Sequence, residues 1–193
     1  MKTLKLVLAF SAFALLAPTS HAQNFAITLN GASEAPPNAS LGTGLGFVSF
    51  NVPAHTMTIF VSFTGLTGPV TAAHIHAATA AAGTGTAGVA TQTPSFTGFP
   101  ASASGTYTNT FNMSLASSFR AGFITANGGT PASAELALAA AATAGKAYLN
   151  LHTATFPGGE IRGFLTPTAA PEPTTAALAL LGLGALAYRR KRA

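Results

Sequence analysis

Cysteine and aspartate are both absent from this sequence, and charged residues of any kind are scarce at 7%. Without cysteine, the protein can form neither a disulfide nor a thiolate metal site. Because charges are few while Thr, Ser, Asn, Ala and Gly are abundant, we expect an uncharged polar surface. The aliphatic and aromatic content nevertheless favours a folded domain over a disordered chain.

The positive charge lies at the two ends of the chain, although the formal net charge is +5. A protein that binds nucleic acid needs a basic face to neutralise phosphates. Residues 23–170 have no such excess, so we expect no nucleic-acid partner. The charged residues of this region balance three against three: Arg120, Lys146 and Arg162 against Glu34, Glu135 and Glu160.

Residues 1–22 have the three parts of a secretory signal peptide. Two lysines give the positive start, and an apolar run follows over residues 6–17. Small residues at Ser20 and Ala22 then predict cleavage after Ala22. The apolar run is shorter than the roughly 20 residues that a membrane-spanning helix needs. We therefore expect signal peptidase to remove this segment during export.

The C-terminus carries a second targeting pattern, a Pro-Glu-Pro triplet followed by an apolar stretch, residues 174–188, and a basic cluster. Basic residues beside an apolar segment stay on the cytoplasmic side, so the preceding domain lies on the other side of the membrane. A helix over residues 174–188 would reach only about 22 Å, which suits transient anchoring in the inner membrane. The motif residues are Pro171, Glu172, Pro173, Arg189, Arg190, Lys191 and Arg192.

This order of parts resembles the PEP-CTERM sorting signal of Gram-negative bacteria. The resemblance implies recognition by an exosortase, removal of the tail, and a final location at the cell surface or outside the cell. It also implies exopolysaccharide or other envelope components as partners. The alternative for residues 174–188 is a buried core helix, but a terminal cluster of four basic residues fits a membrane edge better.

Between the targeting ends, short runs of alternating apolar and polar residues predict strands. One helix is predicted over residues 131–144, since Ala, Leu and Glu favour helix, Pro131 suits a first turn and Gly145 can end it. Short strands with frequent turns and one helical insertion predict an all-β antiparallel sandwich. The predicted strands are 25–29, 47–50, 57–63, 70–77, 106–115, 146–152 and 160–165, with weaker strand character at 88–92.

Three stretches resemble the CHRD domain: residues 29–37 (LNGASEAPP), 65–76 (GLTGPVTAAHIH) and 147–163 (AYLNLHT through FPGGEIRG). The resemblance spans about residues 27–166. It implies an immunoglobulin-like β fold in an extracellular setting, and no settled biochemical activity. The expected organisation is a signal peptide at 1–22, a CHRD-like domain at 23–166, a Pro/Ala linker at 167–173, and a hydrophobic sorting helix with a basic end at 174–193.

Three histidines within these stretches form the main candidate site. His74 and His76 are two residues apart on a predicted strand, so both side chains point to the same face. His152 joins them if its strand is a neighbour, and Glu160 is a candidate fourth ligand or a hydrogen-bond acceptor behind a histidine. Neutral imidazoles suit copper, zinc or nickel, and open three-histidine sites occur in zinc proteins.

Three functions remain open on the sequence. The leading interpretation is a non-catalytic cell-surface or matrix protein whose histidines hold loops to the sandwich, with no certain cofactor. The second is an extracytoplasmic module that binds copper or zinc through His74, His76 and His152. The third is an enzyme, for which the abundant Ser and Thr leave a Ser–His–Glu set open, although no Gly-x-Ser-x-Gly motif occurs. Convergence of the three histidines would favour the second.

Overall fold

Eight strands, all paired antiparallel, form one curled sheet in residues 22–168, the part of the chain that the computed structural model describes. The strand order is β4-β6-β7-β1-β2-β3-β5, and β8 also pairs with β1. The strands are β1 (Gln23–Asn30), β2 (Thr43–Asn51), β3 (Thr56–Thr64), β4 (Val70–His76), β5 (Gly105–Asn112), β6 (Tyr148–Thr153), β7 (Ile161–Phe164) and β8 (Thr166–Pro167). The helices are α1 (Ala121–Ala126) and α2 (Pro131–Thr143).

The core lies on the concave face of this sheet, and β3 shows why. Every second side chain of β3 is buried, while those between them, mostly polar, are more exposed. One covered face and one wetter face are typical of antiparallel sheets. The all-β, sandwich-like architecture predicted from the sequence is confirmed. The buried side chains of β3 are Met57, Ile59, Val61 and Phe63.

Strand β6 departs from that alternation, because all six of its residues are buried. One face carries Leu149 and Leu151 into the core. The other face carries Tyr148, Asn150 and His152, and the loops that join the strands cover it. A strand buried on both faces places polar side chains away from water, where each of them needs a partner.

Helix α2 has the features that the sequence predicted. Thr130 caps it, because its side chain accepts from the backbone N–H of Ser133 while Ser133 bonds back to Thr130, and Pro131 occupies the first turn. Gly145 follows the helix with a φ of +67°, a conformation that glycine adopts freely. The shorter α1 was not predicted, since its sequence AGFITA contains glycine and β-branched residues. It packs through Phe123, which is buried and stacks at 6.4 Å on Phe119.

Residues 88–92 do not form the weak strand that was predicted. Only isolated bridges occur there, at Val89 and Thr91. The segment lies along β4 as an irregular cover: the backbone N–H of Ala90 donates to the carbonyl of Ile75 at 2.8 Å, and the Thr91 hydroxyl accepts from the Ile75 N–H at 2.9 Å. The small residues Gly88 and Ala90 and the hydroxyl of Thr91 allow this contact without a regular ladder.

The last strand reaches into the segment that the sequence assigned to the linker. Pro167, the first residue of the predicted linker, pairs with Phe25 as part of β8, and the Thr168 N–H donates to the Asn24 carbonyl at 2.8 Å. All the strands, both helices and the core described here lie within residues 22–168, a usual size for a domain that folds as a unit. The predicted signal peptide, apart from Ala22, and the sorting tail lie outside the described residues. Neither helix within residues 22–168 has the length and apolar character needed to cross a membrane.

Candidate metal centre

Three histidine side chains converge between strands β4 and β6. The ring nitrogens that could bind a metal in His74, His76 and His152 all lie within 4.8 Å of one another. The two strands pair antiparallel, with His74 opposite Asn150 and His76 opposite Tyr148. Since His152 is two residues from Asn150, all three histidines share one face of the sheet. The convergence expected for a metal-binding module is therefore present, and these three residues are called the histidine cluster below.

Each histidine of the cluster is anchored through its Nδ1 atom to a backbone carbonyl of a covering loop. A carbonyl oxygen only accepts hydrogen bonds, so each Nδ1 must carry the proton. The lone pair of each neutral ring then lies on Nε2, the arrangement found in metal-bound histidines whose other nitrogen donates to the protein. The three bonds are His74 to Pro94 at 2.7 Å, His76 to Ala87 at 2.8 Å and His152 to Pro157 at 3.0 Å.

The Nε2 atoms face one another. Those of His74 and His152 are 3.1 Å apart, and the Nε2 of His76 is buried with no hydrogen-bond partner among the described residues. Two nitrogens bound to one tetrahedral zinc at 2.0–2.1 Å lie about 3.3 Å apart. Lone pairs this close repel each other unless they share a cation, so the separation of the His74 and His152 nitrogens fits a metal ion bound to both.

A shared proton does not provide that cation at neutral pH. Burial lowers the pKa of His74 and of His76 to about 4, and neighbouring positive charge lowers both pKa values further, against the raising effect of the carbonyl hydrogen bonds. Burial also lowers the pKa of His152. The cluster is therefore uncharged near pH 7, and its nitrogens are free to act as ligands.

Glu160 does not lie in the cluster, although the sequence made it a candidate ligand. Its carboxylate accepts hydrogen bonds from the Thr67 backbone N–H at 2.7 Å and from three hydroxyl groups. It also accepts no hydrogen bond from a histidine of the cluster, because backbone carbonyls accept all three Nδ1 bonds. Glu160 instead joins two loops to the end of β6. The hydroxyl donors are Ser40 at 2.7 Å, Thr67 at 2.8 Å and Thr153 at 2.5 Å.

Tyr148, on the same face as the cluster, is a neighbour that the sequence reasoning missed. Its ring stacks on that of His76 with the centroids 4.7 Å apart and the planes 7° from parallel. The guanidinium of Arg162 lies 4.8 Å from the centroid of the same ring. The two-residue alternation of Tyr148, Asn150 and His152 along β6 was the available signal, since it places all three on one face.

Two parts of the chain match known families. Residues 169–192 match the PEP-CTERM protein-sorting motif, which indicates export across the inner membrane, processing by exosortase, and a location at the cell surface or outside the cell. No curated protein and no solved structure matches the chain. Residues 25–165 match the CHRD domain, in agreement with the resemblance seen in the three sequence stretches, and the chain belongs to the CHRD domain family.

Proposed function

We propose that the CHRD domain of this exported protein binds one transition-metal ion, copper or zinc, through the Nε2 atoms of the histidine cluster. A single observation carries the proposal: three imidazoles, two buried and one half-buried, bring ring nitrogens within 4.8 Å of one another while their Nδ1 atoms are held by backbone carbonyls. Neutral imidazole is a good ligand for both metals.

A purely structural role accounts for only half of this arrangement. Histidines that hold loops to the sheet need the three Nδ1 bonds, and these are present. They do not need Nε2 atoms placed 3.1 Å apart, as in His74 and His152, or an Nε2 buried without a partner, as in His76. A buried polar atom without a partner costs about 1–3 kcal/mol, and a bound metal would remove that cost at His76 as well as the repulsion between His74 and His152.

We further propose a binding role rather than a catalytic one. Three protein ligands leave a coordination position that a water molecule could take, as in catalytic zinc sites. The described residues place only histidines in the cluster, and Glu160, the carboxylate expected nearby, is held by hydroxyl groups elsewhere. A carboxylate that could act as a general base is therefore missing from the cluster. Association with exopolysaccharide or other envelope components stays a prediction based on the sorting signal.

Calorimetric titration tests the metal site. Cu(II), Zn(II) and Ni(II) are titrated into metal-free residues 22–168 and into a His74→Ala/His76→Ala/His152→Ala variant. We expect one-to-one binding tighter than about 1 μM, which corresponds to about 8 kcal/mol, and its loss in the variant. His55→Asn is the matched control, because His55 lies outside the cluster, and it should bind as the unmodified domain does.

Two results would contradict the proposed metal site. If circular dichroism shows that all three proteins are folded, and neither these divalent ions nor Cu(I) added without oxygen gives a saturable heat in any of them, the histidines have a structural role only. Heat of the same size in the triple variant would place the binding site elsewhere on the domain.

A further inference from the structure

The histidine cluster has no negative charge among its ligands or directly behind them. A carboxylate behind a metal-bound histidine lends negative charge to the metal. Here all three Nδ1 atoms donate to uncharged peptide carbonyls. A divalent ion in this site would therefore keep its full double charge in a buried position, unless a further anion entered with it.

A buried cation lies close to the cluster on the opposite side of Tyr148. Strands β4 and β7 flank β6, so the Tyr148 ring lies between the imidazole of His76 at 4.7 Å and the guanidinium of Arg162 at 4.8 Å. Arg162 is only 4% exposed, and it is fixed by donating from Nη1 to the Gly85 carbonyl at 3.0 Å and from Nε to the Ser33 carbonyl. It cannot swing out to water without breaking those bonds.

The positive charge of Arg162 is only weakly compensated. Its nearest carboxylate in the described residues belongs to Glu34, at 3.8 Å, and Glu34 Oε1 is buried without a partner. Burial, which outweighs the attraction of Arg162, raises the pKa of Glu34 to about 7. Near neutral pH a substantial fraction of Glu34 is therefore uncharged.

In such surroundings the free energy of metal binding depends strongly on the charge of the ion. The cost of moving an ion from water into a medium of low dielectric constant rises with the square of its charge, so it is about four times larger for a divalent ion. Repulsion by Arg162 doubles with the charge of the ion. Both effects favour a monovalent metal over Zn(II), Ni(II) or Cu(II).

We propose that the site holds copper as Cu(I), and that Arg162, stacked through Tyr148 onto His76, is the residue that determines this preference. Copper is the metal with a stable monovalent state among those that suit imidazole ligands. This inference rests on the proposed metal-binding function and deepens it, because it assigns the ion and names a residue outside the ligand set that selects it.

Competition against chromophoric chelators tests the assignment. Affinities for Cu(I), without oxygen, and for Zn(II) are measured at pH 7 on residues 22–168 and on Arg162→Gln. We expect Cu(I) to bind at least about 100-fold more tightly than Zn(II), and the ratio to fall about tenfold in Arg162→Gln. If the Cu(I) to Cu(II) affinity ratio also falls tenfold in Arg162→Gln, the copper midpoint potential falls by about 59 mV, because the couple transfers one electron.

Two further variants keep the test decisive if Arg162→Gln fails to fold. Glu34→Gln removes the carboxylate that compensates Arg162, and it should weaken Zn(II) binding more than Cu(I) binding. Lys146→Gln is the control, because Lys146 precedes β6 and forms no ion pair with the described residues. It should leave the ratio unchanged.

The two levels of the proposal fail in different ways. If Zn(II) binds more tightly than Cu(I), or if folded Arg162→Gln and Glu34→Gln both keep the ratio of the unmodified domain, the Cu(I) assignment is overturned while the metal site stands. If no ion binds, the metal site and the Cu(I) assignment are both wrong.

Discussion

The Nε2 atoms of His74 and His152 lie 3.1 Å apart although the two residues are 78 positions apart in the sequence. Antiparallel pairing of β4 with β6 creates this proximity, and the Nδ1 bonds to backbone carbonyls fix the direction of the rings. The same loops cover the rings and exclude water. The pairing of β4 with β6 and the covering loops therefore determine the burial of the three rings, their orientation and the distances between their nitrogens.

The first prediction concerns pH. Burial holds the pKa of His74 and of His76 at about 4, below the ordinary value of 6.5. The unfolded chain therefore takes up protons at a higher pH than the folded domain does, so the free energy of unfolding must fall as the pH drops from about 6.5 towards 4. Urea unfolding of metal-free residues 22–168 across this range should show that slope. The triple alanine variant of the cluster should show a smaller slope, and equal slopes would contradict the assigned burial of the rings.

The second prediction concerns Glu160, which is fully buried. Although its burial acts to raise the pKa, hydrogen bonds from Thr153, Ser40 and Thr67 outweigh it and lower the pKa. Its contribution to stability is therefore present above the ordinary value of 4.5 and is lost as the pH falls through the folded value. Glu160→Gln should reduce the free energy of unfolding by about 2–4 kcal/mol at pH 7, because the new NH₂ group faces donors.

Glu34→Gln is the matched comparison for that measurement. Burial raises the pKa of Glu34 to about 7, so its ionised form opposes folding, and a neutral amide should cost less than the same change at Glu160. Urea unfolding of both variants at pH 7 checks the order. If Glu34→Gln is the more destabilising change, the hydrogen-bond account of Glu160 is wrong.

Much of the candidate site could be predicted from local periodicity. The spacing of His74 and His76 places both on one face of a strand, and the alternating pattern around His152 predicts a second strand. These inferences need only the two-residue repeat of a strand. The pairing of β4 with β6, two strands that are distant in the sequence, was left open because it depends on the whole sheet.

The parts that were missed depend on contacts between loops and strands. Glu160 was a candidate ligand because it is one of few carboxylates, but the hydroxyl groups that hold it come from positions 40, 67 and 153. The stack of Arg162 on Tyr148 likewise requires that β7 pairs with β6. Helix α1 forms from a sequence with low helix propensity because Phe123 packs into the core.

The third prediction concerns Gly163, which follows Arg162 in β7. A Cβ atom at this position would lie 2.2 Å from the backbone oxygen of Thr28 in β1, so any side chain forces the two strands apart. Gly163→Ala should destabilise the domain by about 1–3 kcal/mol, the usual range for overpacking. It should also disturb Arg162 and, through it, the Cu(I) to Zn(II) affinity ratio.

Gly158→Ala is the control for Gly163→Ala, since no atom lies within 4 Å of a Cβ atom at that position. Its free energy of unfolding should stay within about 0.5 kcal/mol of the unmodified domain. Thermal or urea unfolding of both variants measures the difference in their free energies of unfolding. Equal stability of the two would show that β1 and β7 approach each other less closely than the structure has them.

The last prediction concerns His55, which lies in the turn between β2 and β3. Its side chain is 51% exposed, but its Nδ1 lies 2.6 Å from Oε2 of Glu135, a residue of α2 that is 1% exposed. The other carboxylate oxygen of Glu135 is buried without a partner in the described part of the chain. His55 is therefore the contact that compensates a carboxyl group otherwise sealed beneath the helix.

Replacement of His55 must separate this contact from backbone strain, because the residue has a φ of +52°. Asparagine tolerates that conformation but is too short to replace the imidazole. His55→Asn should lower the free energy of unfolding by about 1–3 kcal/mol, the cost of a buried polar group that loses its partner. In a Glu135→Gln background the same change should cost less, since no charge is left unpaired, and a double-mutant cycle measures the difference. Additive effects would mean that the two side chains do not interact in solution, and that α2 is held to the turn by its apolar contacts alone.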